Sequence, residues 1–172
     1  MEKKDLILGV IVVLVIIMIS VIITAFSGNN TFQNGQISFE YPKDWSQDHI
    51  VGNFSNNSLY SEVTFKKNFP SGNGTDETAY IILQKEQKAI GTFNLPTKSN
   101  IAMNTSSPST VSVGVANLTH IQIASYGKNV AHKTTIMENN EFYIYLEYIS
   151  PPWAVNATEE AYNTILKTLK IS

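Results

Sequence analysis

Two residue types are missing from the 172-residue chain altogether, cysteine and arginine. Without cysteine there is no disulfide framework, no thiolate nucleophile and no thiolate metal ligand, so the folded part must be held by packing alone. A lipoprotein is excluded as well, because lipidation at a signal junction needs a cysteine. Without arginine the bidentate clamp for phosphate or carboxylate is gone, although the wealth of Lys, Asn and Ile points to an AT-rich coding sequence as a blander cause. Charge is scarce and balanced: past residue 27, ten lysines face twelve acids and no stretch concentrates them. Neither nucleic acid nor an anionic membrane surface is therefore an implied partner.

One long apolar run is present. Leu6 to Phe26 holds twenty-one consecutive uncharged residues, interrupted only by Gly9, Ser20 and Thr24. At about 1.5 Å per helical residue it reaches roughly 30 Å, the thickness of a bilayer's hydrocarbon core. Lys3 and Lys4 precede it and no basic residue follows until Lys43, so the positive-inside bias places the N-terminus in the cytoplasm and the remainder outside. Ala25 and Ser27 offer the small residues of a signal-peptidase site, but the run exceeds the 7 to 15 residues of a signal h-region. A pilin-like segment lacks its Gly or Ala processing site ahead of the run. The expected organisation is a cytoplasmic tail over 1–5, a transmembrane helix over 6–26, a tether over 27–30 and one extracytoplasmic domain over 31–172. About 145 residues past the span suffice for one core and not two.

That domain reads as strands closed by one helix. Thr31 to Gln33 and Gln36 to Tyr41 flank Asn34-Gly35, the dipeptide suited to a two-residue hairpin turn. Ile37, Phe39 and Tyr41 alternate with polar residues, which predicts one buried face. Pro42 ends the strand, and Trp45 is expected as a core plug. His49 to Ser61 reads as a loop with a short strand, tethered by Ile50, Val51, Phe54, Leu59 and Tyr60. Val63 to Lys67 and Ala79 to Gln87 follow as strands, the second central in the sheet, with turn chemistry over 68–78. A short helix is predicted around Thr97 to Asn104, then strands over Val111 to Val115 and Thr119 to Tyr126. Val130 to Glu138 and Glu141 to Ile149 flank Asn139-Asn140; a two-residue loop there pairs His132 with Glu147, Thr134 with Tyr145 and Met137 with Phe142. A closing helix runs from about Ala157 to Leu169, with Asn156 as cap, Glu159 completing a capping box, and Ala161, Tyr162, Ile165, Leu166 and Leu169 as its apolar stripe.

Chemistry-bearing patterns are few. The three histidines, at 49, 120 and 132, show no close metal-ligand spacing with one another. Asp44, Asp48 and His49 could surround a divalent ion, yet a solvated turn explains them as well. His132 and Glu147 form the best-placed acid-base pair, on a strand face that a sandwich fold would cover with helix. No Gly-x-Ser-x-Gly elbow exists, and the glycines at 72 and 74 lack the Lys-Ser or Lys-Thr of a phosphate-binding loop. No catalytic, cofactor-binding or metal-ligating residue is assigned.

The stretches Ile37-Ser-Phe-Glu-Tyr-Pro-Lys-Asp-Trp45, Glu141-Phe-Tyr-Ile-Tyr-Leu-Glu-Tyr148 and Ala161-Tyr-Asn-Thr-Ile-Leu-Lys-Thr-Leu-Lys-Ile171 resemble those of the PsbP-like domains over roughly residues 31 to 172. The resemblance implies an α+β fold, an extracytoplasmic α/β/α sandwich around an antiparallel sheet flanked by helices, and an accessory module held at a membrane surface. Its motifs are structural and bring no ligand site with them.

Seven N-x-S/T sequons, at Asn29, Asn53, Asn56, Asn73, Asn104, Asn117 and Asn156, all fall on the expected outer side. They number about twice what composition yields, which suggests surface glycosylation and a prokaryotic, archaeal-type envelope. The expectation is a single-pass cell-membrane protein whose head, itself monomeric, binds an unknown envelope protein or ligand, uses no cofactor and has no catalytic activity. The alternatives are a structural envelope or pilus-like subunit, and a cryptic hydrolase or metal-dependent enzyme.

Overall fold

A computed structural model describes residues 28–70, 76–88, 104–105, 109–113 and 116–172. The expected membrane span at 6–26 lies outside these residues, as do 97–103 of the expected short helix. Among the described residues no helix is long and apolar enough to cross a membrane.

Apolar alternation produces two antiparallel sheets. The smaller contains β1 (Asn29–Asn34), β2 (Ile37–Pro42) and β11 (Lys170–Ile171) in the order β1-β2-β11. The larger has eight strands. Its path runs β3 (Ser46–Val51), β4 (Tyr60–Phe69), β5 (Glu77–Gln87), β10 (Phe142–Ser150), β9 (Ala131–Glu138), β8 (Ala116–Tyr126) and β6 (Asn104–Thr105), with β7 (Ser109–Val113) also on β8. β5 is internal, as its apolar run Tyr80 to Leu83 implies. Asn104, expected to end a helix, instead pairs with Ala124 in β6.

The single helix among the described residues, α1 (Val155–Thr168), packs with the small sheet on one face of the large one. Ile37 and Phe39 from β2, Val63 and Phe65 from β4, Ile81 and Leu83 from β5, and Ile144, Leu146 and Tyr148 from β10 meet Ala161, Tyr162 and Ile165 in one core. Phe32, Phe39 and Phe65 form its aromatic centre, with ring centroids 4.9 to 5.8 Å apart. Trp45 is buried beside them, as its place after the β2 end predicts. The α+β class and the apolar stripe of the helix therefore follow the sequence pattern.

Both hairpins turn differently from expectation. Asn34 pairs with Ile37, so the turn is Gly35-Gln36, with Gly35 at φ +55° in the first central position. Any side chain there would meet the Asn53 carbonyl oxygen 2.1 Å from its Cβ, and Gln36 N–H donates to the Phe54 carbonyl at 3.1 Å. That fit, rather than the propensity of Asn-Gly, sets the turn. In the later hairpin Glu138 pairs with Tyr143, Thr134 with Glu147 and His132 with Ile149. Asn139 Oδ1 accepts from the Glu141 and Phe142 N–H groups at 2.8 and 3.0 Å, which closes a longer connection and slides the register by two residues. An even slip leaves every side chain on its expected face.

The helix start is also corrected. Pro152–Ala154 forms a 3-10 turn that leads directly into α1, the capping residue is Ala154, and no side chain caps it. Asn156 lies inside the first turn, and Glu159 reaches Lys133 instead of the backbone. Thr158 anchors this end, donating to the Ala154 carbonyl at 2.8 Å and sharing a 2.6 Å hydrogen bond with the buried Tyr148 hydroxyl.

Candidate functional site

The strands carrying the core on one side place His132 and Glu147 on the other. The even slip makes them diagonal neighbours, with His132 Nε2 3.9 Å from Glu147 Oε2 and side chains 43% and 30% exposed. Among the described residues no helix covers this pair, since α1 lies against the opposite face. Thr134 Oγ1 stands 3.2 Å from the same His132 Nε2. A hydrolytic relay needs the hydroxyl on one ring nitrogen and the carboxylate on the other, so that the acid fixes the tautomer that accepts the proton. Here hydroxyl and carboxylate converge on one nitrogen. The arrangement is a polar cross-strand cluster without relay geometry.

Asp44, Asp48 and His49 do not converge. β3 extends through residues expected to form a loop, with a bulge between Gln47 and His49. Asp44 pairs with Lys67 at 2.6 Å, Asp48 pairs with Lys66, and His49 stands opposite Thr64. Among the described residues no group of three His, Asp or Glu side chains could hold a metal ion.

Among the described residues, two grooves and one strand edge stand out. The first groove, about 460 Å³, lies where the described chain begins and is lined by Gly28, Lys43, Trp45, Glu160 and Thr164 among others. The second, also about 460 Å³, is bounded by Glu77, Tyr80, Lys128, Val130, Ser150 and Trp153. Trp153 is 61% exposed. Its indole is nevertheless fixed, since Nε1–H donates to Glu77 at 2.6 Å and the ring stands edge-on to Phe69 with centroids 5.2 Å apart. No pattern in the sequence marks the ring as exposed.

The edge is β3. All six of its residues are exposed, and at its end Ile50 and Val51, together with Leu59 and Tyr60 across the following loop, are exposed large hydrophobic residues. Sequence reasoning assigned those four and Phe54 as tethers to the core, yet of the five only Phe54 is buried. Phe54 takes a left-handed φ of +48° to get there, supported by its N–H donating to Ser61 Oγ at 3.0 Å. Beneath the same loop lies Lys85, 1% exposed, whose ammonium donates to the Ser55 carbonyl at 2.8 Å and sits 5.2 Å from the Phe142 ring centre. Burial lowers its pKa, opposed by Glu141. On the open face of the sheet, the Tyr60 hydroxyl and Gln84 both donate to Glu62. The Tyr60 bond is the main reason the Glu62 carboxyl is held below its usual pKa.

Of the sequon asparagines, Asn29, Asn53, Asn56 and Asn156 are exposed, and Asn73 lies outside the described residues. Asn104 and Asn117 fall in β6 and β8.

No family model matches the chain, and no curated protein matches it. Among solved structures it is similar to LpqN, a protein involved in cell envelope biogenesis of Mycobacterium tuberculosis, with 16% identity over 84% of this chain and 91% of that one and a TM-score of 0.45.

Proposed function

We propose that this chain is a membrane-anchored, outward-facing accessory domain of PsbP-like type, which binds a protein partner at the cell surface and performs no catalysis. The apolar run Leu6 to Phe26 and the lysines ahead of it support the anchor and its direction. The convergence of Thr134 and Glu147 on a single nitrogen of His132 supports the non-catalytic reading.

The observation that carries the binding role is the unequal protection of the β3 edge. An open edge strand presents unpaired backbone groups that can template another strand, and proteins blunt such edges with bulges and charges. The Ser46–Asp48 half of β3 has both, in the bulge after Gln47 and the Asp48–Lys66 pair. Its other half has neither and carries Ile50 and Val51, extended by Leu59 and Tyr60. A partner strand added there would gain main-chain hydrogen bonds together with apolar contact.

A photo-crosslinking residue at position 51 of the full chain in its native membrane tests this. The expected product is one discrete heterologous adduct that Ile50→Lys abolishes without unfolding the head. A self-adduct would replace the reading with the structural-subunit alternative. Turnover of a substrate that His132→Ala abolishes in a folded head would overturn the non-catalytic part.

A further inference from the structure

The end of the domain at which the described chain begins has an exposed apolar surface. Strand register fixes what lies there. Asn29 pairs with Pro42, Ser46 with Lys66, Tyr80 with Ile149, and Ala131 with Tyr126. The connections beyond these pairs, 43–45, 127–130 and 151–154, therefore share one end with Gly28. Of the exposed large hydrophobic side chains, Trp153, Val130 and Tyr126 belong to this end, and Trp153 is more exposed than any other of them.

We infer that this end rests in the lipid headgroup layer of the membrane carrying the anchor, with Trp153 and Val130 as the inserting groups. The inference depends on the anchor proposed above. Chain length is the first argument. The apolar run ends at Phe26 and folded structure has begun by Gly28, where an added Cβ would lie 2.7 Å from Lys43 Nζ. Two extended residues reach roughly 7 Å. The headgroup region adds only about 5 to 7 Å on each side of the hydrocarbon core. A span that fills the core therefore brings Gly28 no farther than the outer edge of the headgroup layer, so the end around it lies against the lipid.

Side-chain chemistry is the second argument. Trp is enriched at membrane interfaces because one end of the ring is apolar and the other polar. Glu77 holds the indole N–H and Phe69 the ring edge, so Trp153 is ordered before contact and loses little freedom on insertion. Lys43 and Lys128 are offset here by Glu77 and Glu160, so attraction to anionic lipid is not the source of binding. A zwitterionic surface suffices.

The test reconstitutes the full chain into phosphatidylcholine vesicles whose acyl chains carry bromine, which quenches nearby indoles. Co-flotation that survives alkaline carbonate extraction reports the anchor by itself; a chain that does not float after that extraction sinks the anchor reading and this inference with it. In floated protein, bromolipid should quench a fraction of the tryptophan emission, and Trp153→Phe should remove most of that quenched signal, leaving only the buried Trp45. Inserting ten Gly and Ser residues after Ser27 should leave quenching in place, because the surface itself favours lipid. Floated protein whose Trp153 stays unquenched and accessible to aqueous acrylamide would overturn the inference. So would quenching that disappears with the longer tether, or protection of Trp153 by a soluble saccharide or protein with no effect of lipid.

Discussion

The two faces of the large sheet use the same strands and differ in almost everything else. Along β10, Ile144, Leu146 and Tyr148 enter the core, while Tyr143, Tyr145, Glu147 and Ile149 point the other way. On the core face each polar atom near the helix has a specific partner, as Tyr162 has in Thr135 and Tyr148 in Thr158. On the other face Ile136 and Tyr145 are buried as well, but charge and hydroxyl groups around them sit in half-exposed pairs such as His132 with Glu147. Period-two alternation alone makes this division, and it implies that equal chemical changes on the two faces have unequal consequences.

The largest expected effect is Ile165→Asp on α1, which puts an unpaired carboxylate against the core face. It should cost several kcal/mol, comparable to a small domain's whole margin, and abolish the cooperative unfolding transition seen by circular dichroism. A folded variant would mean that α1 does not seal that face.

Lys85→Ala comes next. It leaves a cavity and an unsatisfied Ser55 carbonyl, at a cost of about 2 to 4 kcal/mol. Hydrogen exchange should report loss of protection concentrated in the 52–59 loop. Uniform loss across the sheet would show that Lys85 does not act through that loop.

The Tyr162 phenol supplies a pH signature. Burial pushes its pKa up to about 12, with the Thr135 and Gln122 hydrogen bonds opposing that rise. The folded state holds this proton more tightly than the unfolded state does. The stabilisation is therefore complete below the ordinary value near 10 and is lost as pH rises through 12, by roughly 2 to 3 kcal/mol. Denaturant unfolding at pH 8 and pH 11 should show a smaller alkaline decline in Tyr162→Phe than in the native chain. An equal decline would place the titrating group elsewhere.

The smallest effect belongs to the open face. His132→Ala and Glu147→Gln should each shift stability by no more than about 0.5 kcal/mol. A larger loss from either would show that this face is sealed like the first.

Much of this division is readable from residue order. Alternation in β2 and the stripe Ala161, Tyr162, Ile165, Leu169 identify the core face from residue order alone, whereas β10 carries bulky groups on both faces and does not. Turn geometry is less legible, because Gly35 and Asn139 are positioned by a carbonyl brought in from Asn53 and by a side-chain acceptor. Neither contact follows from local propensity. The apolar residues of 50–60 mislead for a related reason: composition cannot tell a tether from an exposed edge, and of five candidates the fold buries Phe54 alone. The functional surfaces were the least legible. Lys85 looks like any strand lysine until the loop above it is placed, and nothing in the residue order marks Trp153 as exposed.

The pairing of β11 with β2 has a consequence for the order of events during synthesis. Ser172 N–H donates to the Gln36 carbonyl at 3.0 Å, across 136 residues of sequence. Until residues 170–171 have been made, the small sheet consists of a lone hairpin, which is marginal in water by itself. Closing so distant a contact is slow compared with forming local turns. A ribosome adding about 5 to 20 residues per second would hold that hairpin waiting for roughly six to twenty-six seconds. Through that interval Ile37 and Phe39 lack their final cover, so the nascent chain is most open to chaperones and proteases well before it is complete.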